Sequence, residues 1–397
     1  MTEAAHHGDR ARAVVRIGIV GLGAAGRAFI PAIRAHAGLT LVAIADAVTD
    51  LREAAAAEHS VAAYASLDEM LAHAGLDAVC IATPTPLHVE HALQAFAAGK
   101  HVLVEKPMAV SSSEAQTMID AAQRAGVQLL VGHSHSYDPP IERMREIIAA
   151  GTLGRVRMVN TWCYTDWMYR PRRLEELDVT QGGGVTFRQG SHQFDIIRLL
   201  CGGTVRSVKA RSFDWDPGRR SSGAHIVFLD FSNGAGATAV YNGYGHFSTT
   251  ELCFDIGEWG FPQPDAGRVP RARATDLSPE QELAAKQRRA LGAIPAHAPH
   301  PPFFGLTLVS CERGDMRQSP AGLYLYSDDG RTEITVPTDA SPRDRVMSEL
   351  YDAIRCTAPA RHDGAWGLAN LQVCEAAVES SASGREVRLQ QPGSGPS

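Results

Sequence analysis

From position 14 to about 135 the chain alternates short apolar, β-branched runs with longer stretches whose apolar residues recur at helical spacing. The runs are 14–20, 41–45, 78–82, 101–104 and 128–131; the stretches 25–37, 50–58, 67–73, 86–98 and 112–125 can each wind as a helix. Strands alternating with helices predict a doubly wound parallel sheet. After Pro139 and Pro140 the period changes. A helix runs through Ile148, and then 155–164, 205–213, 225–231 and 236–241 read as longer strands joined by turns. Strands without intervening helices favour antiparallel pairing. A strand pair around 323–336 and helices over 344–356 and 365–383 complete the pattern. The Pro-, Ala- and Arg-rich residues 257–302, with one helical stretch at 279–291, read as an insertion whose job is not legible. The expected organisation is an α/β chain: a flexible leader over 1–13, a parallel-sheet domain over 14–135, an α+β domain with a mostly antiparallel sheet over 136–390, and a flexible tail over 391–397.

Composition narrows the function. The 38 basic and 44 acidic residues give a net charge of −6 and are mixed along the chain, so no basic stripe offers itself to a nucleic acid. No apolar run approaches the ~18 to 20 residues of a membrane span, and the polar opening MTEAAHHGDRARA does not read as a secretory signal. The seven cysteines stand singly, with no metal-ligand spacing; they read as reduced thiols of a cytoplasmic protein, several of them core fillers, and no metal is expected.

Gly21, Gly23 and Gly26 form a GxGxxG directly after the first strand and at the start of a helix. In that context the glycines serve a tight turn, close approach of backbone N–H groups to a pyrophosphate, and close helix-to-strand packing. The second strand ends in Asp46, twenty residues past Gly26, where an acid can accept both ribose hydroxyls of an adenosine. Together these features read as a Rossmann dinucleotide site. Asp46 would repel a 2′-phosphate, and Ala47, Val48 and Thr49 supply no arginine to accept one, so NAD is expected rather than NADP. Ala24 and Ala25 lie at the helix start, where phosphates bind.

The third strand runs into Thr83, Pro84 and His88, and the fourth into Glu105, Lys106 and Pro107, so both loops leave carboxyl strand ends beside the glycine loop, the ligand edge of open α/β sheets. Lys106, fixed by the following proline, can aim its amine at the nicotinamide end. The strings GLGAAG, TPTPLH, AGKHVLVEKP, QLLVGHSHSYDP, GGGVTFRQGSHQFDIIRLL and SSASGREV resemble, in order, the glucose-fructose oxidoreductase, inositol dehydrogenase and rhizopine-catabolism (Gfo/Idh/MocA) family. The resemblance implies a Rossmann domain followed by a domain with a large open sheet that mediates homo-oligomers. It also implies that Lys106 touches nicotinamide and substrate, and that His192 is the proton-transfer residue.

Arg188, His192 and Asp195 fall at i, i+4 and i+7, with Phe187, Phe194, Ile197 and Cys201 opposite, which predicts an amphipathic helix with a polar stripe. Many relatives carry an Asp where this chain has Arg188. An arginine is no base at neutral pH, but it binds carboxylates bidentately. An anionic substrate is therefore expected on Arg188 and Arg170, with Asp195 orienting His192, His133 ahead of His135 as a pocket residue, and Trp162, Tyr164 and Trp167 as flat walls. The alternative for Arg170, Arg172 and Arg173 is a solvated run paired with Glu175, Glu176 and Asp178. Within the family, RQGSHQFDIIRLLCGG is most similar to the phthalate cis-dihydrodiol dehydrogenases, which implies oxidation of a carboxylated cyclic diol to a catechol in aromatic-compound catabolism. A sugar, inositol or sugar-acid dehydrogenase or reductase, an NAD-assisted glycosidase and a non-catalytic dinucleotide sensor are the competing readings.

Overall fold

The computed structural model describes residues 14–266, 277–291 and 298–389; the expected flexible leader and tail lie outside the described residues. The chain divides into two compact units. The first holds the described residues within Met1–His133, Lys286–Ala296 and Arg343–Ala369; the second holds those within Ser134–Ala285, His297–Pro342 and Asn370–Ser397.

The first unit is built on six parallel strands, β1 (Val15–Val20), β2 (Leu39–Ala45), β3 (Ala62–Tyr64), β4 (Ala78–Ile81), β5 (His101–Val104) and β6 (Leu129–Val131), in the order β3-β2-β1-β4-β5-β6. Five of them match apolar runs in the sequence, because strands covered by helices on both faces are apolar throughout: β4 and β6 are buried at every position. The sixth, the edge strand β3, is only three residues long and half-exposed, so no such run announces it. At the other edge the backbone N–H of Val131 donates to His362 O at 2.8 Å, and Leu130 bridges Asp363. There Gly364 and Gly367 allow close approach, since side chains at these positions would collide with Ile119 and with Val131 and Met108.

The second unit carries β7 (Val156–Tyr164), β8 (Val205–Phe213), β9 (Ala224–Phe231), β10 (Gly236–Asn242), β11 (Leu306–Cys311), β12 (Gly314–Ser319), β13 (Gly322–Ser327), β14 (Gly330–Thr335) and β15 (Val387–Arg388) in one sheet, in the order β14-β13-β12-β11-β7-β10-β9-β8-β15. The expected α/β class with a mostly antiparallel second sheet is found. The one parallel pair is β10 with β7, because the chain leaves β7, forms the helix Ser191–Cys201 and the β8–β9 pair, and returns alongside β7 in its original direction. The pattern reading also passed over β11, β12 and β15; β12 alternates Gly, Met and Gln with polar residues and β15 has two residues.

In the helix Ser191–Cys201 every residue except Leu199 is buried, so its polar residues lie inside the protein. Its polar groups are paired inside: Gln193 Nε2 donates to Thr161 Oγ1 at 3.0 Å and to Val240 O at 3.1 Å. Arg188 precedes the helix in a π-turn, Thr186–Gly190, whose i→i+5 bonding displaces it from the i, i+4 register with His192.

Candidate active site

The glycine loop of the first unit separates the three tasks by space. Gly21 has φ +91°, and a Cβ there would lie 2.6 Å from Ala82 O; a Cβ on Gly26 would collide with Gly21 O. Around Gly23 nothing lies within 4 Å of the position a Cβ would take. The turn and the helix-to-strand contact are thus filled by protein, whereas the Gly23 position faces open space. Gly23 is also the N-cap of the helix Ala24–Ala35 and offers no side chain to its first N–H groups, in the turn that begins with Ala24 and Ala25; such a helix start favours anions.

Asp46 holds this loop in place. Its Oδ2 accepts from Leu22 N at 2.7 Å and its Oδ1 from Val48 N at 2.8 Å. A carboxylate has about four lone-pair sites, so two remain for ribose hydroxyls. Arg52, which the reading of residues 47–49 stopped short of, returns from the helix Thr49–His59 with Nη1 at 3.3 Å from Asp46 O and 3.4 Å from Ala47 O.

The two loops beside the glycines are joined by His88, which is buried, with Nε2 at 2.9 Å from Thr83 O and Nδ1 at 3.0 Å from Pro107 O. Thr83 Oγ1 meets His91 Nδ1 at 3.0 Å, and Pro84 opens the 3-10 turn Thr85–Leu87. Glu105 accepts from Lys106 N at 3.2 Å, and Lys106 is half-buried at the end of β5. His133 belongs to this unit, buried with its ring 6.0 Å from that of His362; the other residues expected at the substrate lie in the second unit.

In the second unit His192 is 5% exposed and packs against two rings, His135 at 4.7 Å with 82° between the planes and Phe304 at 4.8 Å. His135 stands between two carboxylates, Nδ1 at 3.1 Å from Asp138 Oδ2 and Nε2 at 3.4 Å from Glu258 Oε1. Burial by itself would lower its pKa, but Asp138 and then Glu258 overturn that and raise it to about 9, so the ring is a cation at neutral pH. Asp195 is fully buried, one turn from His192 on a helix whose Arg198 it supports against a pKa that burial lowers to about 10.

The arginines are paired more deeply than a solvated run. Arg188 Nη2 lies 3.4 Å and Arg172 Nη1 3.7 Å from the same oxygen of buried Glu176, so two guanidinium groups share one carboxylate. Arg172 lies over the ring of Trp167 at 4.0 Å, and burial lowers its pKa to about 10. Trp167 is therefore the buried platform of an arginine and not an open wall. Arg170 pairs with Asp166 at 2.7 Å and Arg173 with Glu175 at 3.8 Å, while Asp178 caps the backbone of Thr180. Tyr164 is half-buried with its ring 5.8 Å from Phe247. Helix Pro279–Leu291 contributes Glu282, which accepts from Arg172 N at 2.6 Å and pairs with Arg219. All seven cysteines are free, and among the described residues no group of three or more His, Cys, Asp or Glu side chains is arranged to hold a metal ion and no helix is long and apolar enough to cross a membrane.

The model of an oxidoreductase family with an NAD-binding Rossmann fold matches residues 15–133, and that of the GFO/IDH/MocA C-terminal domain matches 141–256. The chain is 38% identical to a 1-carboxy-3-chloro-3,4-dihydroxycyclo hexa-1,5-diene dehydrogenase of Comamonas testosteroni, over 92% of this chain and 94% of that one. It is 30% identical to an inositol 2-dehydrogenase of Rhizobium meliloti over 49% of this chain and 58% of that one. A crystal structure from Bordetella bronchiseptica RB50 superposes with a TM-score of 0.87 at 39% identity, covering 95% of this chain and all of that one. With a glycine loop that leaves room for a phosphate and a match to both domains of the family, the chain belongs to the Gfo/Idh/MocA oxidoreductases and is an NAD-dependent dehydrogenase.

Proposed function

We propose that the enzyme oxidises a carboxylated cyclohexadiene cis-diol to a catechol. The observation that carries this reading is the pair Arg172 and Arg188 set against the single carboxylate of Glu176, a cationic group suited to a substrate carboxylate. The Comamonas relative, whose name specifies a carboxylated dihydroxycyclohexadiene, supports the same substrate class. NAD, when bound, supplies the hydride acceptor. The glycine loop and the N-terminus of helix Ala24–Ala35 hold its phosphates, Asp46 its adenosine ribose, and the Thr83–His88 and Glu105–Lys106 loops its nicotinamide end. His192 takes the hydroxyl proton of the substrate, or Lys106 does, and Arg188 holds the carboxylate, with Arg170, Tyr164 and His133 as further substrate contacts. Asp195 orients His192. Losing a hydride and a proton from one carbinol leaves a ring ketone that tautomerises to the aromatic diol, so the oxidation runs forward.

The same reading includes a homo-oligomer through the open face of the second sheet. Met158 and Trp162 of β7 and Ile226 and Phe228 of β9 are 42 to 51% exposed, and Trp162 and Ile226 both lie beside Val240 of β10. Such a patch fits a second copy of this chain. The enzyme is proposed to work in the cytoplasm.

NADH formation from carboxylated and uncarboxylated cis-dihydrodiols, inositols and sugar acids tests the substrate class. The expected result is turnover confined to carboxylated diols, with kcat/KM falling about 10- to 100-fold in Arg188→Ala, the usual worth of a hydrogen bond to a charged group. Turnover of polyols alone places the enzyme with the carbohydrate dehydrogenases instead.

A further inference from the structure

We propose that His135 is a positioning residue for proton transfer: an imidazolium fixed between Asp138 and Glu258 that packs on His192 and holds it in the neutral, proton-accepting form. The inference rests on the reading of His192 as the proton acceptor. The geometry supports it independently. The two rings lie 4.7 Å apart and nearly perpendicular; His135 Nδ1 is hydrogen-bonded to Asp138 Oδ2 at 3.1 Å, and its Nε2 lies 3.4 Å from Glu258 Oε1. Tilted rings of Phe304 at 4.5 Å and Trp259 at 5.5 Å enclose His135, so little solvent screens its charge from its neighbour. A positive charge that close disfavours a second one, and a general base is useful only while it is unprotonated at the working pH.

Among the described residues around the helix of His192, another buried imidazole is His225, which stacks on Phe194 and whose pKa burial lowers to about 3, so it stays neutral through the working range. The helix of His192 also carries Asp195 and Arg198, and the turn before it carries Arg188, paired with Glu176. The segments packed against that helix bring Tyr137, Cys163 and Tyr164, Tyr241 and the Glu142–Arg145 pair. Burial pushes Cys163 and Tyr241 up, so both stay neutral through the working range, and Arg198 at about 10 stays charged. His135 is thus set apart from them as an imidazole kept charged at neutral pH.

Two substitutions on this cluster have opposite expected signs. His135→Asn removes the cation and leaves its carboxylates, so the acid limb of log kcat/KM against pH moves up by about one unit or more. Glu258→Gln removes an anion while Asp138 still holds His135, so the limb moves down. A merely structural role lowers kcat/KM at every pH and moves neither limb. Nitrogen-15 spectra of histidine-labelled protein, without NAD or substrate and assigned with His135→Asn and His192→Asn, give the second readout. The expected result is a His135 ring still protonated at pH 8 and a His192 ring still neutral at pH 6.5, with the His192 titration shifted up in His135→Asn. A neutral His135 at pH 8, or limbs that do not move apart, overturns the inference. If His135→Asn does not fold, the Glu258→Gln limb and the wild-type spectra decide the matter. Full activity in His192→Asn overturns instead the assignment of His192 as base, a separate failure.

Discussion

His135 and His225 are both buried to 1% exposure in the second unit, and both pack on the helix Ser191–Cys201. His135 meets the helix at His192, while His225 stacks on Phe194 and places Nε2 3.1 Å from Gln193 Oε1 and Nδ1 3.1 Å from Thr186 Oγ1. The partners of the first are carboxylates; those of the second are an amide and a hydroxyl. Burial lowers the pKa of His225 to about 3, whereas around His135 the two acids reverse the same effect and carry it to about 9. Depth alone therefore does not set the charge of a histidine: at equal burial, neutral partners keep the ring neutral and a carboxylate keeps it charged.

The comparison can be broken most forcefully at Asp138. Asp138→Asn leaves a buried imidazolium short of an acid and should lower the unfolding free energy at pH 7 by about 3 kcal/mol in urea titrations. Because the folded pKa of His135 lies above its unfolded value, its stabilisation is complete below about pH 6.5 and fades as pH rises through 9. The deficit of the variant should shrink accordingly at pH 10, and a deficit independent of pH would show that the carboxylate supports packing alone. His225→Phe keeps the ring but strands Gln193 and Thr186, at a cost of about 2 kcal/mol near pH 7. Here the sign is opposite. Between pH 6.5 and 3 the unfolded wild-type chain binds a proton that folded His225 refuses, so wild type loses stability as pH falls and the gap to the variant narrows toward pH 4. A widening gap would mean that His225 is charged when folded. The smallest effect is expected from Thr186→Val, which removes one neutral hydrogen bond: about 1 kcal/mol in the same titration, with the pH dependence of wild type retained.

How much of this could be read beforehand depends on how local each feature is. Gly21, Gly23, Gly26 and Asp46 were legible because turn, helix start and strand end follow one another along the chain, and Gly21 and Gly26 each answer a nearby steric demand. The apolar runs of β1, β2, β4, β5 and β6 were legible for the same reason. The surroundings of His192 were not. Its proton-holding neighbour draws one acid from three residues away and the other from Glu258, and such pairing leaves no periodic trace. Residues 257–302, an insertion whose job is not legible in the sequence, supply Glu258 and Trp259 to His135 and Glu282 to Arg172 and Arg219. Arg188 was singled out by residue type, but helical spacing misplaced it, because a π-turn interrupts the register that the i, i+4 rule assumes.

The seam at β6 bears on how the polypeptide is made. Val131 and Leu130 complete their edge only with His362 and Asp363, and Glu349 Oε2 fixes the His362 ring at 2.9 Å. When synthesis has reached the end of β6 the sheet therefore has an open flank, and more than two hundred further residues must emerge before that flank is covered. Until then the nascent sheet presents an unpaired strand edge to neighbouring chains. The parallel sheet of this enzyme is thus sealed by residues translated long after its own strands.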